Sequence, residues 1–380
     1  MFDFGSQRYP FSGIFSIELA IFTPMNKNNY NVVGVMSGTS LDGIDLAYVN
    51  FTSSEGWSYK ILAAETVPYP SEWQEILSEA VNYDDIQLKD LNENYTQFLS
   101  KVITEFLSKN DIFKPDAICS HGHTIKHEPE NGFTFQVGNL PALASNLGHT
   151  VVCDFRVQDV EMGGQGAPLV PIGDELLFGS YNYCLNLGGF ANISTKPNGD
   201  RLAYDICAVN TVLNYLSQKI DLPYDRDGEI AASGELNEEL LEELQKLPFY
   251  GLRPPKSLGI EWVNKYIFPL LERYENSIPS LLRTYTEHAA EVISNELRDT
   301  SEEKVLVTGG GAFNDFLIKE IQRRTKSEII IPSAEVVNYK EALIFAFLGV
   351  LKLRGENNVM SSVTGASKDH SSGVIFFPKG

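Results

Sequence analysis

The chain has 380 residues, 43% of them hydrophobic and 21% charged, enough for two cores and too apolar for a disordered protein. Its formal charge of −20 opposes binding to nucleic acid or an anionic membrane, so any anionic ligand must be held by local donors. No run of 18 apolar residues occurs, and Cys119, Cys153, Cys184 and Cys207 lie in apolar runs without metal-ligand spacing; both features point to a reducing cytoplasm.

Residues 1–24 are expected to form a leader outside the fold. Phe11–Phe22 is largely apolar, but it contains Glu18, lacks a basic flank and precedes no small-residue cleavage site, which leaves a signal peptide the weaker reading. From Met25 a polar lead runs into three predicted strands, Asn31–Met36, Ile44–Phe51 and Trp57–Thr66. Helical spacing follows at Ser71–Ala80 and Ile86–Lys109. Then come strands at Asp116–Ser120 and Phe133–Val137, a short helix at Pro141–Leu147 and a strand at Thr150–Asp154.

The second half repeats the theme with short strands at Tyr183–Leu187, Ala191–Lys196 and Arg201–Ile206 and a helix at Val209–Lys219. Acidic amphipathic helices are predicted at Leu236–Leu247, Ile260–Tyr274 and Pro279–Arg298, followed by a strand at Lys304–Thr308, a helix after Gly311, a strand at Glu328–Ile331 and a helix at Glu341–Leu353. Three adjacent strands and then alternating helices and strands, twice over, predict an α/β protein of two ribonuclease-H-like domains around a central cleft. A single Rossmann domain would not begin each half with three adjacent strands.

The stretch Val33–Asp45, VGVMSGTSLDGID, places a turn with Ser37, Thr39 and Ser40 between two antiparallel strands. Gly38 and Gly43 are expected to adopt positive φ and let the backbone approach an anion, while hydroxyls and bare N–H groups donate. An ordinary glycine hairpin is the bland alternative, and no GxxxxGK[ST] string occurs. Leu185–Ser194, LNLGGFANIS, repeats the strand, turn, strand pattern at the start of the second half, and Val305–Asn314 runs a strand into Gly309, Gly310 and Gly311. Three such loops in a duplicated fold point to ATP, with the last against adenosine.

These motifs, with SHGHT, FTFQVGN, VTGA at Val363–Ala366 and above all DFRVQDVEMGGQGAPLVP from Asp154 to Pro171, make the chain similar to the anhydro-N-acetylmuramic acid kinases of the actin, Hsp70 and sugar-kinase superfamily. The resemblance runs from about Asn31 to the C-terminus. It implies an ATP-dependent enzyme that opens 1,6-anhydro-N-acetylmuramic acid with water and phosphorylates O6, giving N-acetylmuramate 6-phosphate and ADP in peptidoglycan recycling or salvage. It implies an N-terminal lobe of residues 25–160 plus 355–380 and a C-terminal lobe of 161–354. His123 stands where many relatives carry Gln, Ala208 replaces a common proline, and the leader is unusual.

Within that frame Asp159 is the candidate base for water, with a turn-capping carboxylate as its bland alternative. Arg156 is suited to the sugar's lactyl carboxylate or to orienting Asp159. Glu341, expected at the start of the last helix, is a second acid or base or else a helix-dipole partner. Gly38, Thr39, Ser40, Leu41, Asp42, Gly43, Asp45, Gly188, Gly189, Asn192, Asp205, Gly309, Gly310 and Gly311 form the nucleotide set, with Mg²⁺ held through water by Asp42 and Asp45. Ser120, His121, Thr124, Gln136, Asn139, Arg156, Gly164 and Gly166 form the sugar set. A zinc reading of His121, His123 and His127 lacks a completing cysteine or carboxylate at usual spacing.

Other classes compete. A nucleotide-gated clamp of the Hsp70 type needs an appended peptide-binding domain, and only fifteen residues follow Gly365. A dehydrogenase needs GxGxxG early, with an acidic residue about twenty positions on. Another sugar kinase of the same superfamily differs only in its sugar contacts. The partners expected are an amino sugar and ATP, neither nucleic acid nor membrane, with monomer and homodimer both open.

Overall fold

The structure is a computed structural model, and it describes residues 24–197, 199–274, 277–297 and 303–379. The expected leader, apart from Pro24, lies outside the described residues, as does Arg298 at the end of one predicted helix. The first half runs β1 (Asn29–Ser37), β2 (Ile44–Ser53), β3 (Trp57–Val67), α1 (Ser71–Glu79), α2 (Asp85–Lys109), β4 (Ala117–Glu128), β5 (Phe133–Val137), α3 (Ala142–Leu147), β6 (Val151–Cys153), α4 (Val157–Glu161) and α5 (Pro171–Leu176). The second continues with β7 (Tyr183–Leu187), β8 (Phe190–Thr195), β9 (Leu202–Ala208), α6 (Asn210–Gln218), α7 (Glu229–Ser233), α8 (Glu238–Gln245), α9 (Ile260–Trp262), α10 (Phe268–Glu272) and α11 (Ile278–Asn295). It closes with β10 (Lys304–Thr308), α12 (Asp315–Gln322), β11 (Glu328–Ile330), α13 (Ala334–Arg354), α14 (Ser361–Thr364) and β12 (Val374–Phe376).

One sheet has the order β12-β6-β4-β1-β2-β3, with β5 paired to β4, and the other β11-β10-β7-β8-β9. In each, three antiparallel strands join two further strands through a parallel pairing, β1 with β4 and β7 with β10. Setting aside β5 and β12, the two orders are the same, so the duplication expected from the strand pattern is present. β1 is the central strand of its sheet and its Val32–Ser37 run is buried, as a strand covered on both faces requires.

Helix α2 covers one face of the first sheet; Asp84 and Gln87 close its N-terminus with a capping box. α13 covers the other face, and its core also takes in Cys184 of β7 and Leu306 of β10, so this helix joins the two sheets. Helices α6 and α11 pack on the far side of the second sheet. Two glycines let α13 lie so close. A Cβ on Gly34 of β1 would fall 1.9 Å from the Ala342 carbonyl oxygen, and one on Gly349 would fall 2.1 Å from Cys119 Sγ.

Three expectations need correction. β4 does not stop at Ser120 but continues to Glu128, because β5 folds back on it from His123 to Glu128; burial of both its faces and the left-handed Gly122 (φ 75°) hide the alternation. Glu341 does not begin the last helix. α13 starts seven residues earlier at Ala334 and bends at Tyr339 (φ −116°, ψ 17°), so the first-turn dipole argument lapses. The helix expected over Ile260–Tyr274 is broken by a π turn at Val263–Ile267, just before Pro269, which has no N–H to continue the ladder.

Candidate functional site

All three glycine turns leave the C-terminal ends of strands β1, β7 and β10, the side of an open α/β sheet where ligands collect. In the first, the left-handed residue is Leu41 (φ 58°), not Gly38 or Gly43. Gly43 answers a different need, since a Cβ there would lie 2.6 Å from the Val67 carbonyl oxygen and prevent β3 from closing on the turn. Gly38 has room, its nearest neighbour being Ser40 Oγ at 3.6 Å. Thr39, Ser40 and Asp42 are exposed, and Ser40 donates to Asp42 at 2.8 Å. Asp45 accepts from Thr66 Oγ1 at 2.6 Å; burial holds its carboxyl above the usual range and the nearby Asp42 adds to the rise.

The second and third turns form one feature. A Cβ on Gly309 (φ 81°) would fall 2.5 Å from Asn186 Oδ1, and one on Gly311 2.8 Å from Leu187 Cβ, so the triple glycine is wedged against the end of β7. Beside it the carbonyls of Gly189 and Gly188 accept from the N–H groups of Val209 (2.8 Å) and Asn210 (3.3 Å) at the start of α6. Gly310 is exposed, and its nearest neighbour would be Asn210 Nδ2 at 3.7 Å. Asn192 of β8 lies in register with Asn186 and Asp205. The Asp205 carboxylate accepts from the Leu258 N–H (2.8 Å) and Ser257 Oγ (3.2 Å), so it anchors a loop.

A third cluster gathers around Arg156. Its Nε donates to His121 Nε2 at 2.8 Å and its Nη1 to the Gly166 carbonyl at 2.6 Å, with its guanidinium over Phe345 of α13. Burial lowers it to about 10, while Glu341 and Asp159 pull the other way, so both carboxylates act on this one guanidinium. Glu341 is exposed yet ringed by protein that leaves few waters to solvate it; this crowding raises its carboxyl, Arg156 opposes the rise and Asp45 adds to it. Its neighbour Lys340 is buried and pairs with Asp174 of α5 at 2.7 Å.

Asp159, on α4, has no accessible surface. Its Oδ2 accepts from the Gly166 N–H at 2.7 Å and its Oδ1 from Thr364 Oγ1 at 2.8 Å, while His370 Nε2 lies 3.7 Å from Oδ1. A Cβ on Gly164 would fall 2.2 Å from the same carboxylate, so this glycine is what allows the turn to cover it. Asp159 therefore also caps this turn. Thr364 and His370 were assigned no role from sequence; the VTGA string was the only signal near them.

The sugar-contact candidates divide. His121 has both ring nitrogens engaged, Nδ1 with the Gly122 carbonyl at 2.9 Å and Nε2 with Arg156, and burial and then Arg156 hold it well below the usual imidazole range. Ser120 accepts from the Gly122 N–H at 3.2 Å. Gln136 Oε1 and Asn139 Oδ1 are buried without a partner among the described residues, and Thr124 lies in register with Gln136. Unpaired buried acceptors invite a donor from outside the chain.

The other two histidines have partners of their own. His127 Nδ1 meets Thr134 Oγ1 at 3.0 Å, and His123 Nδ1 meets Ser37 Oγ at 2.7 Å. Ser37 continues to Tyr69 (2.7 Å) and Tyr69 to Tyr95 (2.5 Å). Tyr95 is fully buried, so this hydroxyl chain runs from His123 beneath the first glycine turn into the core. Burial lowers the His123 ring to about 4 and keeps it neutral. Surface cavities of about 490 and 530 Å³ lie elsewhere, one by Arg201 and Tyr204, the other between α1 and α2 by Trp73 and Phe98.

Two sheets of one strand order, with glycine turns at their C-terminal ends, define a duplicated α/β fold of the actin, Hsp70 and sugar-kinase type. The family model described as anhydro-N-acetylmuramic acid kinase matches residues 30–378. A protein of that name from Sulfurimonas denitrificans is 34% identical over 367 residues, covering 90% of this chain and 98% of its own, and one from Shewanella baltica is 35% identical over 374 residues, covering 93% and 100%. The chain belongs to the anhydro-N-acetylmuramic acid kinase family. Among solved structures, the (R)-2-hydroxyglutaryl-CoA dehydratase component A of Acidaminococcus fermentans covers 85% of this chain and 99% of its own at 13% identity and a TM-score of 0.45, too loose a likeness to bear on function. No helix among the described residues is long and apolar enough to cross a membrane.

Proposed function

We propose that the protein uses ATP and water to open 1,6-anhydro-N-acetylmuramic acid and phosphorylate O6, yielding N-acetylmuramate 6-phosphate and ADP. The observation that carries this reading is Gly166, whose carbonyl accepts from Arg156 and whose N–H donates to Asp159, in a family named for kinase action on that sugar. Asp159 takes the proton of the attacking water, its oxygens held in line by Gly166 and Thr364. Since it has no accessible surface, it works once the turn of residues 163–166 has shifted. Glu341, exposed and raised, is the second acid or base, and Arg156 orients both and receives the lactyl carboxylate.

The turns at Gly38–Gly43, Gly188–Gly189 and Gly309–Gly311 receive the polyphosphate and adenosine, and Gln136 and Asn139 offer their unpaired oxygens to sugar donors. Asp42 and Asp45 fit a Mg²⁺ held through water, because burial and then the nearby Asp42 raise the Asp45 carboxyl, and a divalent ion relieves such crowding of like charge. Bound there, the ion would neutralise phosphate charge. We assign the N-terminal lobe to residues 25–160 and 355–380 and the C-terminal lobe to 161–354, with α13 crossing between them, and a cytoplasmic location in keeping with four free, buried cysteines.

The test is incubation of purified protein with Mg-ATP and the anhydro sugar, with glucose and an unfolded peptide as controls. ADP and a sugar phosphate should appear with the anhydro sugar alone. ADP release with glucose would favour another sugar kinase, and peptide-stimulated ATP turnover would favour a clamp.

A further inference from the structure

If Asp159 removes a proton from water, that proton must go somewhere. Ring opening adds water oxygen to C1 and breaks the C1–O6 bond; O6 then takes the phosphoryl group and ADP departs. One proton is left over, and it begins on a carboxyl that has no accessible surface. Thr364 and the Gly166 N–H hold the two carboxylate oxygens as donors, and neither an alcohol nor an amide is basic enough to hold the proton.

His370 is placed to accept it. Its Nδ1 faces the Lys368 carbonyl at 3.1 Å, and since a carbonyl only accepts, Nδ1 must carry the hydrogen. Nε2 of the neutral ring is therefore bare. It is buried, has no hydrogen-bond partner among the described residues, and lies 3.7 Å from Asp159 Oδ1, too far for a bond in the resting state and near enough to form one after a small shift. A bare nitrogen facing an ionised carboxylate gains nothing; facing a protonated one it gains a hydrogen bond. The carboxylates nearest the ring are Asp159 on α4, 3.7 Å away, and Asp369 on its own segment, which is itself held by the N–H and hydroxyl of Ser361.

We propose that His370 acts through Asp159 as its proton acceptor, taking the proton from Oδ1 onto Nε2 after ring opening and releasing it to water when the turn of residues 163–166 shifts again. The proposal rests on the reading of Asp159 as base. The C-terminal segment is then a working part of the site, Thr364 fixing the carboxylate and His370 resetting it for each turnover.

Steady-state kinetics of His370→Gln, which keeps a polar group but cannot hold the proton, should show kcat down about 10²-fold with KM for sugar and ATP within twofold. Wild-type kcat in a folded His370→Gln protein, alongside an inactive Asp159→Asn, would overturn the relay and leave the base in place. Full turnover in Asp159→Asn would overturn the base reading itself. Side-chain ¹⁵N NMR of the unmodified protein gives a second test that needs no variant: the neutral His370 ring should carry its hydrogen on Nδ1 with Nε2 bare, and an Nε2–H tautomer would sink the proposal.

Discussion

Arg156 Nε donates to Nε2 of His121 across 2.8 Å, and this one bond sets the character of both side chains. It requires His121 to be neutral with its hydrogen on Nδ1, and it turns the guanidinium so that Nη1 reaches the Gly166 carbonyl. A lysine has one nitrogen and cannot reproduce two bonds in fixed directions. Arg156→Lys should therefore keep the positive charge yet lose kcat/KM for the sugar by at least about tenfold, or roughly 1.4 kcal/mol of transition-state stabilisation. Wild-type kinetics in that variant would reduce Arg156 to a simple charge.

The glycines of the third turn separate nucleotide contact from folding. A side chain on Gly309 meets Leu187 and demands positive φ, so substitution there should lower stability. Gly310 is exposed and has room for a Cβ within the chain itself, so Gly310→Val should melt within a few degrees of the wild type while binding ATP more weakly by titration calorimetry. Unchanged ATP affinity would remove the turn from the nucleotide site. Gly189→Val is a less clean probe, because its Cβ would already meet Thr211 Oγ1 at 2.8 Å.

Glu341 predicts the acid limb of activity. The protein crowded around this exposed side chain raises its carboxyl above the ordinary value of 4.5, so as a base it is ionised at high pH and inactivated as pH falls through a value above 4.5. The profile of kcat/KM should lose activity on the acid side within that region, and Glu341→Gln should abolish the limb along with most of the rate. A limb unmoved in Glu341→Gln would assign it to another group.

The Lys340–Asp174 pair predicts a stability effect where α13 meets α5. Both side chains are buried, so removing one leaves an uncompensated charge. Asp174→Ala should cost about 3–5 kcal/mol in chemical denaturation, whereas the double change Asp174→Leu with Lys340→Met should recover much of it. A cost below about 1 kcal/mol would mean that water reaches the pair.

What could be read from the sequence follows from how local each signal is. The strands and glycine turns were legible because alternation and glycine are properties of a few consecutive residues, and Gly188 and Gly309 fall where those patterns put them. The partners of Asp159 were not, since Thr364 approaches it from 205 positions away and only the fold brings them together. The extension of β4 was hidden because its pairing with β5, not its own periodicity, makes it a strand. Glu341 was seen as a carboxylate, but its place inside α13 was masked by the β-branched and polar run Ala334–Lys340.

The most direct measurement is a reaction with ATP and 1,6-anhydro-N-acetylmuramic acid in ¹⁸O-labelled water, quenched before the anomeric hydroxyl exchanges with solvent. Mass spectrometry of the product should find one ¹⁸O at C1 of the sugar and none in the transferred phosphate, with one ADP released per ring opened. Label in the phosphate, or ADP formed without a labelled sugar, would mean that water attacks ATP instead of the anhydro ring and would contradict the proposed reaction.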